Sequence, residues 1–580
     1  MKARDFLQTV APLSGRHLVW YWAAVILVMS KVLWGIWWRD TTYGDTSAYF
    51  LDASSWVRSG QVNILWSPLY TAYFGWMESL FQDARAAVLV HRVALVVATT
   101  LLAAWAGKRY LGPLLGFLVA LWWVALPIHY DTLYEVHLFG AVVAFCAVGI
   151  CSSESDWRLP LLVALYALAT VLLRNENIIC FGMLGLYFLF RVYQRVRVGD
   201  RAGVRRYAWR GGVVAVFTLL VVAYFYQIST LQGWRQINEA SAPKHRLNMC
   251  QVYAFGYQQR YSDWTQSPWT ECQTLMKRDF GDESPSITEM LLANPGATLE
   301  HFAWNLSLLP AGLQVLAFNA TSFSGNPDYA PVMKNDVYPT VLAMAVVALA
   351  VAAAVFAWRR RRATPTPLSA RDVDFLVLLV ANIAVALAVV LTQRPRPSYL
   401  LGFGFILLVA LCRLLRTAWP RATVALDKLF VVAAIAAVLA VPSYASLNLP
   451  SMTGRLNELY TLLKDHKYLL CRNGHELAIG EYTSELRNYI CGSASVTALP
   501  LESIPAMNTM NSGSIVAELQ RRHVHAVILD NVFLRGKTRV KDCHELDAAF
   551  AADGWFRMAF SGDGKGFCDA AYLNMRPSPY

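Results

Sequence analysis

Charge is scarce in this 580-residue sequence: Asp, Glu, Lys and Arg make up 16%, against 56% hydrophobic residues. That scarcity excludes a soluble enzyme with an appended tail, and most of the length belongs in lipid. The familiar signatures of bound nucleotides and metals are missing too. There is no Cys-x-x-Cys and no paired His-Cys spacing, which weakens a metal role for the cysteines. Walker A, Gly-x-Gly-x-x-Gly at a strand–helix junction, His-Glu-x-x-His and Gly-x-Ser-x-Gly are all absent. Their absence argues against a nucleotide-driven pump and against a nucleotide-sugar donor held in a cytoplasmic Rossmann domain. No repeat or long low-complexity segment occurs. No small-residue cleavage site follows a short apolar stretch at the start, so the first span is expected to be an uncleaved anchor.

What the sequence does have is apolar runs. A membrane-crossing helix needs about 20 mostly apolar residues. About eleven candidates meet that measure loosely: 18–38, 86–106, 111–128, 136–151, 159–173, 178–190, 211–229, 338–357, 373–392, 398–415 and 428–446. The fifth and sixth are short and are divided only by Arg174-Asn175-Glu176-Asn177. Lys and Arg placement predicts a cytoplasmic N-terminus. The segments on that side would carry Lys108 and Arg109, the run from Arg191 to Arg210, Arg359 to Arg362 with Arg371, and Arg413 to Lys428. The net charge of +12 is thus largely a topology signal. The basic runs are short and separated by spans, so nucleic-acid binding is not expected. A multi-pass protein of the cell (inner) membrane is expected, with an extracytoplasmic C-terminus.

Three large outer pieces follow: loops 39–85 and 230–337, and a tail, 447–580. Four of the ten cysteines, Cys146, Cys151, Cys180 and Cys412, fall in or beside spans. The other six all fall outside, where disulfides form, and sequence-adjacent pairing (250–272, 471–491, 543–568) is the expectation. In the first loop, Ser54 to Val62 and Pro68 to Phe81 have the character of interfacial amphipathic helices. The second loop reads as polar and irregular from Gly233 to Pro295, then apolar from Phe302 to Phe318. The tail alternates strand-like runs, such as His523 to Asp530, Trp555 to Phe560 and Phe567 to Leu573, with a helical run, Asp542 to Ala552. It predicts a small α/β domain of about 130 residues. The domain plan is therefore a transmembrane catalytic domain, 1–446, and an extracytoplasmic α/β domain, 447–580.

Several ionisable residues stand where a lipid-linked donor would be attacked from the aqueous side. Asp45 is the sharpest. Transfer to a hydroxyl needs a carboxylate to accept its proton, and Asp45 lies in an aromatic-rich loop directly after the first span. Asp40 is its close competitor; the alternative for both is a solvated loop acid or a helix cap. Asp131 and Glu135 lie four apart in a second outer loop, with His129 and His137 beside them. They are candidates for an acceptor or a divalent cation (Mg or Mn); the competing reading is an interfacial belt of Tyr and His. Arg174 and Glu176 interrupt an apolar hairpin, where ionisable side chains are costly and usually face a partner or a cavity. Arg394 and Arg396, in Gln393-Arg-Pro-Arg-Pro-Ser-Tyr399, break the positive-inside pattern, and a fixed guanidinium fork suits a lipid phosphate. Tyr399 belongs to the same turn. Lys244 and His245, followed by Arg246, are a weaker phosphate or acceptor candidate, since charge clusters in long loops are commonly solvated.

With these elements in view, the chain resembles the integral-membrane glycosyltransferases of the GT-C superfamily, nearest to bacterial enzymes similar to protein O-mannosyltransferases and lipid A aminoarabinose transferases. The resemblance rests on the cytoplasmic start with about eleven spans, on Tyr43-Gly44-Asp45 followed by interfacial helices, on the second acidic loop with Asp131 and Glu135, on Leu173-Arg174-Asn175-Glu176-Asn177, and on the α/β tail. That fourth segment looks like the Arg-Pro-Asp/Glu-Gly element often found there, with Asn175 and Asn177 where Pro and Gly are usual. Asp45 stands single where some families have an acidic pair. The resemblance implies an α-helical polytopic GT-C-like fold. It also implies inverting transfer of a monosaccharide from a polyprenyl-phosphate donor to an extracytoplasmic glycan, lipid or protein. Asp45 would be the general base, arginines would stabilise the leaving phosphate, and in some members a divalent cation takes part. Two other readings stay open: an O-antigen ligase or polymerase type of enzyme, and a polysaccharide or lipid transporter. Against the transporter stands the absence of inverted repeats with broken spans.

Overall fold

A computed structural model of the chain describes residues 46–126 (except 82), 135–327 (except 319), 337–363, 368–419 and, with gaps, 460–575, together with isolated positions between 19 and 30. The spans expected at 18–38 and 428–446 lie wholly or largely outside the described residues, as do Asp40, Asp45, His129 and Asp131. The chain divides into two compact units, Met1–Ile36 with Val93–Asn448, and Trp37–Arg92 with Leu449–Tyr580.

The first unit is helical. Its membrane helices are α3 (Ala84–Leu111, whose opening residues belong to the second unit), α4 (Pro113–Ala125), α5 (Glu135–Cys151), α6 (Arg158–Leu172), α7 (Ile178–Arg197), α8 (Arg201–Gln227), α14 (Val337–Ala363), α15 (Ala370–Gln393) and α16 (Pro397–Ala418). Among the described residues, six helical stretches are long and apolar enough to cross a membrane, and α4, α5 and α6 contain shorter apolar helices. Apolar side chains on α7, α8 and α14, among them Leu186, Leu219 and Val347, are exposed. Helices apolar on their outward faces need a lipid surround rather than water.

Polar groups collect at the two ends of this bundle. At one end Arg158 pairs with Asp374 (2.5 Å), Tyr187 donates to the same carboxylate (3.0 Å), and Arg413 pairs with Asp372 (2.8 Å). The basic residues in the last turns of α3, α7, α14 and α16 lie at this end. The opposite end gathers the start of α5, the turn between α6 and α7, and the turn between α15 and α16. A helical module continues from α8: α9 (Trp234–Arg260), α10 (Cys272–Phe280), α11 (Ile287–Ala293), α12 (Pro295–Ser307) and α13 (Leu309–Phe318). Most of it was expected to be irregular. Instead α9 is a 27-residue helix with Pro243 inside it. The apolar positions of its second half, Met249, Cys250, Tyr253 and Ala254, lie on one face and pack on Leu275, Met276 and Phe280. The Cys250–Cys272 disulfide pins α9 to α10. A capping box between Ser286 and Glu289 opens α11.

The second unit begins with α1 (Thr46–Ser59) and α2 (Pro68–Ser79). α1 starts eight residues earlier than expected, immediately after Asp45. The two helices approach closely at Gly75, where an added Cβ would lie 2.6 Å from the Trp56 ring and 2.9 Å from the Ala53 carbonyl. Tyr49 and Tyr70 (5.0 Å) and Phe50 and Phe74 (5.7 Å) meet edge to face across the pair. The tail supplies β1 (Leu477–Glu481), α17 (Leu486–Cys491), β2 (Val496–Pro500), α18 (Ser512–Arg521), β3 (Val524–Leu529), α19 (Cys543–Ala552), β4 (Trp555–Gly562) and β5 (Cys568–Asn574). Its sheet runs β2-β1-β3-β5-β4, parallel through the first three strands and antiparallel thereafter. β2, α17 and α18 carry no strong sequence signal, whereas β3, α19, β4 and β5 fall on the expected segments. Leu519, Val527, Phe550 and Tyr572 lie in its core. Cys471 pairs with Cys491 as expected, and Cys543 is also disulfide-bonded. The remaining free thiols are Cys146, Cys151, Cys180 and Cys412. Tyr489 of α17 rests on Phe50 of α1 (5.0 Å).

Candidate functional site

The turn between α6 and α7 is a single 3-10 turn, Asn175–Asn177, and Arg174 enters it in an extended conformation. This break leaves the Arg174 side chain beside the start of α5 rather than along a helix. Its Nη1 lies 2.5 Å from His137 Nδ1, its Nε pairs with Glu176, and its guanidinium sits 5.0 Å from the Tyr399 ring. Tyr399 is in the first turn of α16, where Pro397 favours helix initiation. The Arg396 guanidinium lies 5.5 Å from the same ring, and the His137 ring lies 4.9 Å from it. Arg174 and Glu176 are each more than a quarter exposed, whereas Arg396 is nearly buried. Among the described residues, then, four elements converge on one tyrosine with two guanidiniums, one carboxylate and an imidazole. Such a group suits an oxyanion, because guanidiniums present paired donors and stack on aromatic faces.

Arg394 departs from the expectation that it shares a phosphate with Arg396. Its backbone has φ 72 and ψ 154, a conformation non-glycine residues rarely adopt. That backbone turns the two side chains apart. Arg394 is wholly buried; its Nη2 donates to Gln259 Oε1 (2.9 Å) on α9 and to the Asn326 carbonyl. Gln259 also donates to that carbonyl (3.0 Å) and accepts from Trp304 Nε1 (3.1 Å). Beneath this network, Asn305 donates to the Leu391 carbonyl (2.9 Å) and lies 3.1 Å from His301 Nε2. Burial, with the charges of Arg260 and Arg394, pulls the His301 pKa down to about 3. The imidazole is therefore neutral at physiological pH.

The remaining expected residues fall elsewhere. Lys244, His245 and Arg246 all lie on α9, and Arg246 donates to the Ser284 carbonyl (3.2 Å). Glu135 opens α5. No group of three or more His, Cys, Asp or Glu among the described residues is placed to hold a metal ion. Sequence reasoning missed Gln259, Asn326, His301 and Asn305. Gln259, Asn326 and His301 lie in segments with no motif, Asn305 stands out only as an Asn-x-Ser match, and only the fold brings them to Arg394.

The described parts define a polytopic helical membrane protein with an arginine–tyrosine cluster at one end of its bundle. The chain is similar to the Archaeoglobus fulgidus oligosaccharyltransferase in its apo form (TM-score 0.49, 12% identity, covering 97% of this chain and 75% of that one). It is similar to the same enzyme complexed with Zn and sulfate (TM-score 0.45, 11% identity, 94% and 73% covered). A third likeness is to ArnT from Cupriavidus metallidurans bound to undecaprenyl phosphate (TM-score 0.35, 12% identity, 97% and 99% covered). No protein-family model and no curated protein matches the chain. At these scores the likenesses carry no conclusion about activity.

Proposed function

We propose that this protein is a GT-C-type glycosyltransferase of the cell inner membrane, with a cytoplasmic N-terminus. It moves a monosaccharide from a polyprenyl phosphate to an acceptor on the extracytoplasmic side. The observation that carries this reading is the convergence of Arg174 and Arg396 on Tyr399 at the bundle end opposite the basic helix termini. Cations at that end run against the orientation rule, and an anionic headgroup at the membrane face gives them a partner. Arg174 and Arg396 hold the donor phosphate. His137 and Glu176 fix the Arg174 guanidinium beside the Tyr399 ring.

The acceptor hydroxyl oxygen attacks the anomeric carbon from the face opposite the phosphate. The new C–O bond forms as the bond to the phosphate oxygen breaks, and the electron pair passes to that oxygen. The hydroxyl proton goes to the Asp45 carboxylate. Negative charge grows on the leaving phosphate, and preorganised guanidiniums stabilise it there.

The test is donor-analogue binding and transfer on purified protein. Asp45→Asn is expected to lower transfer by about 100-fold or more with binding intact. Arg174→Ala and Arg396→Ala are expected to lose donor binding severely, and the Lys variants partly, because Lys keeps the charge and not the planar fork. If both Ala variants bind a polyprenyl-phosphate sugar as tightly as wild type, the reading fails. If Asp45→Asn transfers normally while the arginines stay essential, a ligase-type mechanism replaces this one.

A further inference from the structure

Arg260, the last residue of α9, holds its guanidinium 5.6 Å from the Tyr261 ring and 5.9 Å from the Trp304 ring. Its side chain is only 10% exposed, and its Nε lies 3.1 Å from Glu300 Oε1. Its Nη1 is buried and meets no hydrogen-bond acceptor among the described residues. A buried guanidinium N–H left without an acceptor is costly, and native structures fill such positions with water or a ligand. Two residues beside the guanidinium are exposed. Tyr261 is 40% exposed and donates its hydroxyl to Glu300 Oε1 (2.5 Å). Glu300 is 46% exposed. Trp304 is anchored through its Nε1 to Gln259.

Two tethered aromatic rings offer flat faces at low entropic cost. Beside both rings stand a guanidinium with a buried, unused donor and a half-exposed carboxylate acceptor. A sugar ring presents the complement: an apolar C–H face, and adjacent hydroxyls that both donate and accept. The Arg260–Glu300 pair is neutral as a unit, so it favours an uncharged ligand over an acidic or basic one. An acyl chain would leave both charged groups unsatisfied. Gln259 accepts from both Trp304 and Arg394, so the strip is tied to the turn that carries Arg396.

Building on the glycosyltransferase reading, we propose that Arg260, Tyr261, Glu300 and Trp304 form a subsite for a neutral glycan, and that the acceptor is accordingly a saccharide chain. The test is saturation-transfer NMR on the full-length protein in nanodiscs, with maltotetraose and tetra-N-acetylchitotetraose as probes. At least one probe is expected to receive saturation at the ring protons. The signal is expected to fall fivefold or more in Tyr261→Ala and Glu300→Gln, both at exposed positions, and partly in Arg260→Lys. No transfer to either probe, or equal signals in wild type and the three variants, overturns the proposal. Polyprenyl-phosphate binding is measured on the same samples and is expected unchanged in all three variants. Joint loss of both ligands would mark a folding defect and overturn the subsite. Failure of wild type to bind the lipid, with glycan binding kept, would strike the donor assignment alone.

Discussion

Arg394 and Arg396, two positions apart, leave the same turn for different partners. Arg396 faces Tyr399 with Arg174, while Arg394 is consumed by Gln259 and the Asn326 carbonyl. The neighbourhood of Arg394 also makes a pH device of His301. Its folded pKa of about 3 lies below the ordinary 6.5, chiefly because of burial. In the unfolded chain the imidazole takes a proton below about pH 6.5, whereas the folded one does not until about pH 3. Stability is therefore full above the unfolded pKa and falls as pH drops, by about 2 kcal/mol at pH 5. The melting temperature of the protein is expected to fall between pH 7.5 and pH 5, and His301→Gln is expected to flatten that fall. An unchanged slope in the variant would remove His301 as the cause. Sequence reading singled out Arg174 and Arg396 because charge inside apolar runs is conspicuous, and Tyr399 only as a neighbour in the same turn. It missed His301 and Gln259 because a buried neutral histidine and a surface glutamine carry no periodic or compositional mark.

The turn between α15 and α16 works as a preformed element. Arg394 pays for its positive φ, a strain on the order of 1–3 kcal/mol, which persists because the surroundings hold it. Part of that hold comes from α13, where an alanine Cβ at Gly312 would lie 2.2 Å from the Pro395 carbonyl oxygen. Gly312→Ala must push the turn outward. It is expected to cost about 1–3 kcal/mol, as overpacking does, and to weaken donor binding through displacement of Arg396 and Tyr399. Melting temperature and donor affinity measured together check this. Loss of stability with unchanged affinity would mean that the turn does not set the arginine geometry. Element boundaries were legible where an apolar run met a basic or Pro-rich end, as in α14 and α16. The helix α9 was not legible, since its first half is polar all round and carries Pro243, features that read as loop until α10 and the disulfide supply a packing partner.

At the scale of the whole bundle, charge asymmetry makes a claim that binding data cannot test. Lys108 and Arg109, Arg195 and Arg197, Arg360 to Arg362, and Arg416 close their helices at one end. The opposite end holds Arg174, Arg394 and Arg396, each engaged with aromatic or polar partners. Positive charge is retained in the cytoplasm during insertion. The end bearing Val198 is therefore expected inside, and the helical module bearing Leu292 on the far side. Both residues are strongly exposed, at 77% and 80%. The four free thiols are buried or half-buried, so they give a low labelling background. Leu292→Cys is expected to react with a membrane-impermeant maleimide in intact spheroplasts, and Val198→Cys only after the membrane is permeabilised. The reverse pattern would put the arginine–tyrosine cluster in the cytoplasm. A donor phosphate presented at the extracytoplasmic face would then lie out of its reach, and the transfer mechanism would fail whatever the affinity of Arg174 and Arg396.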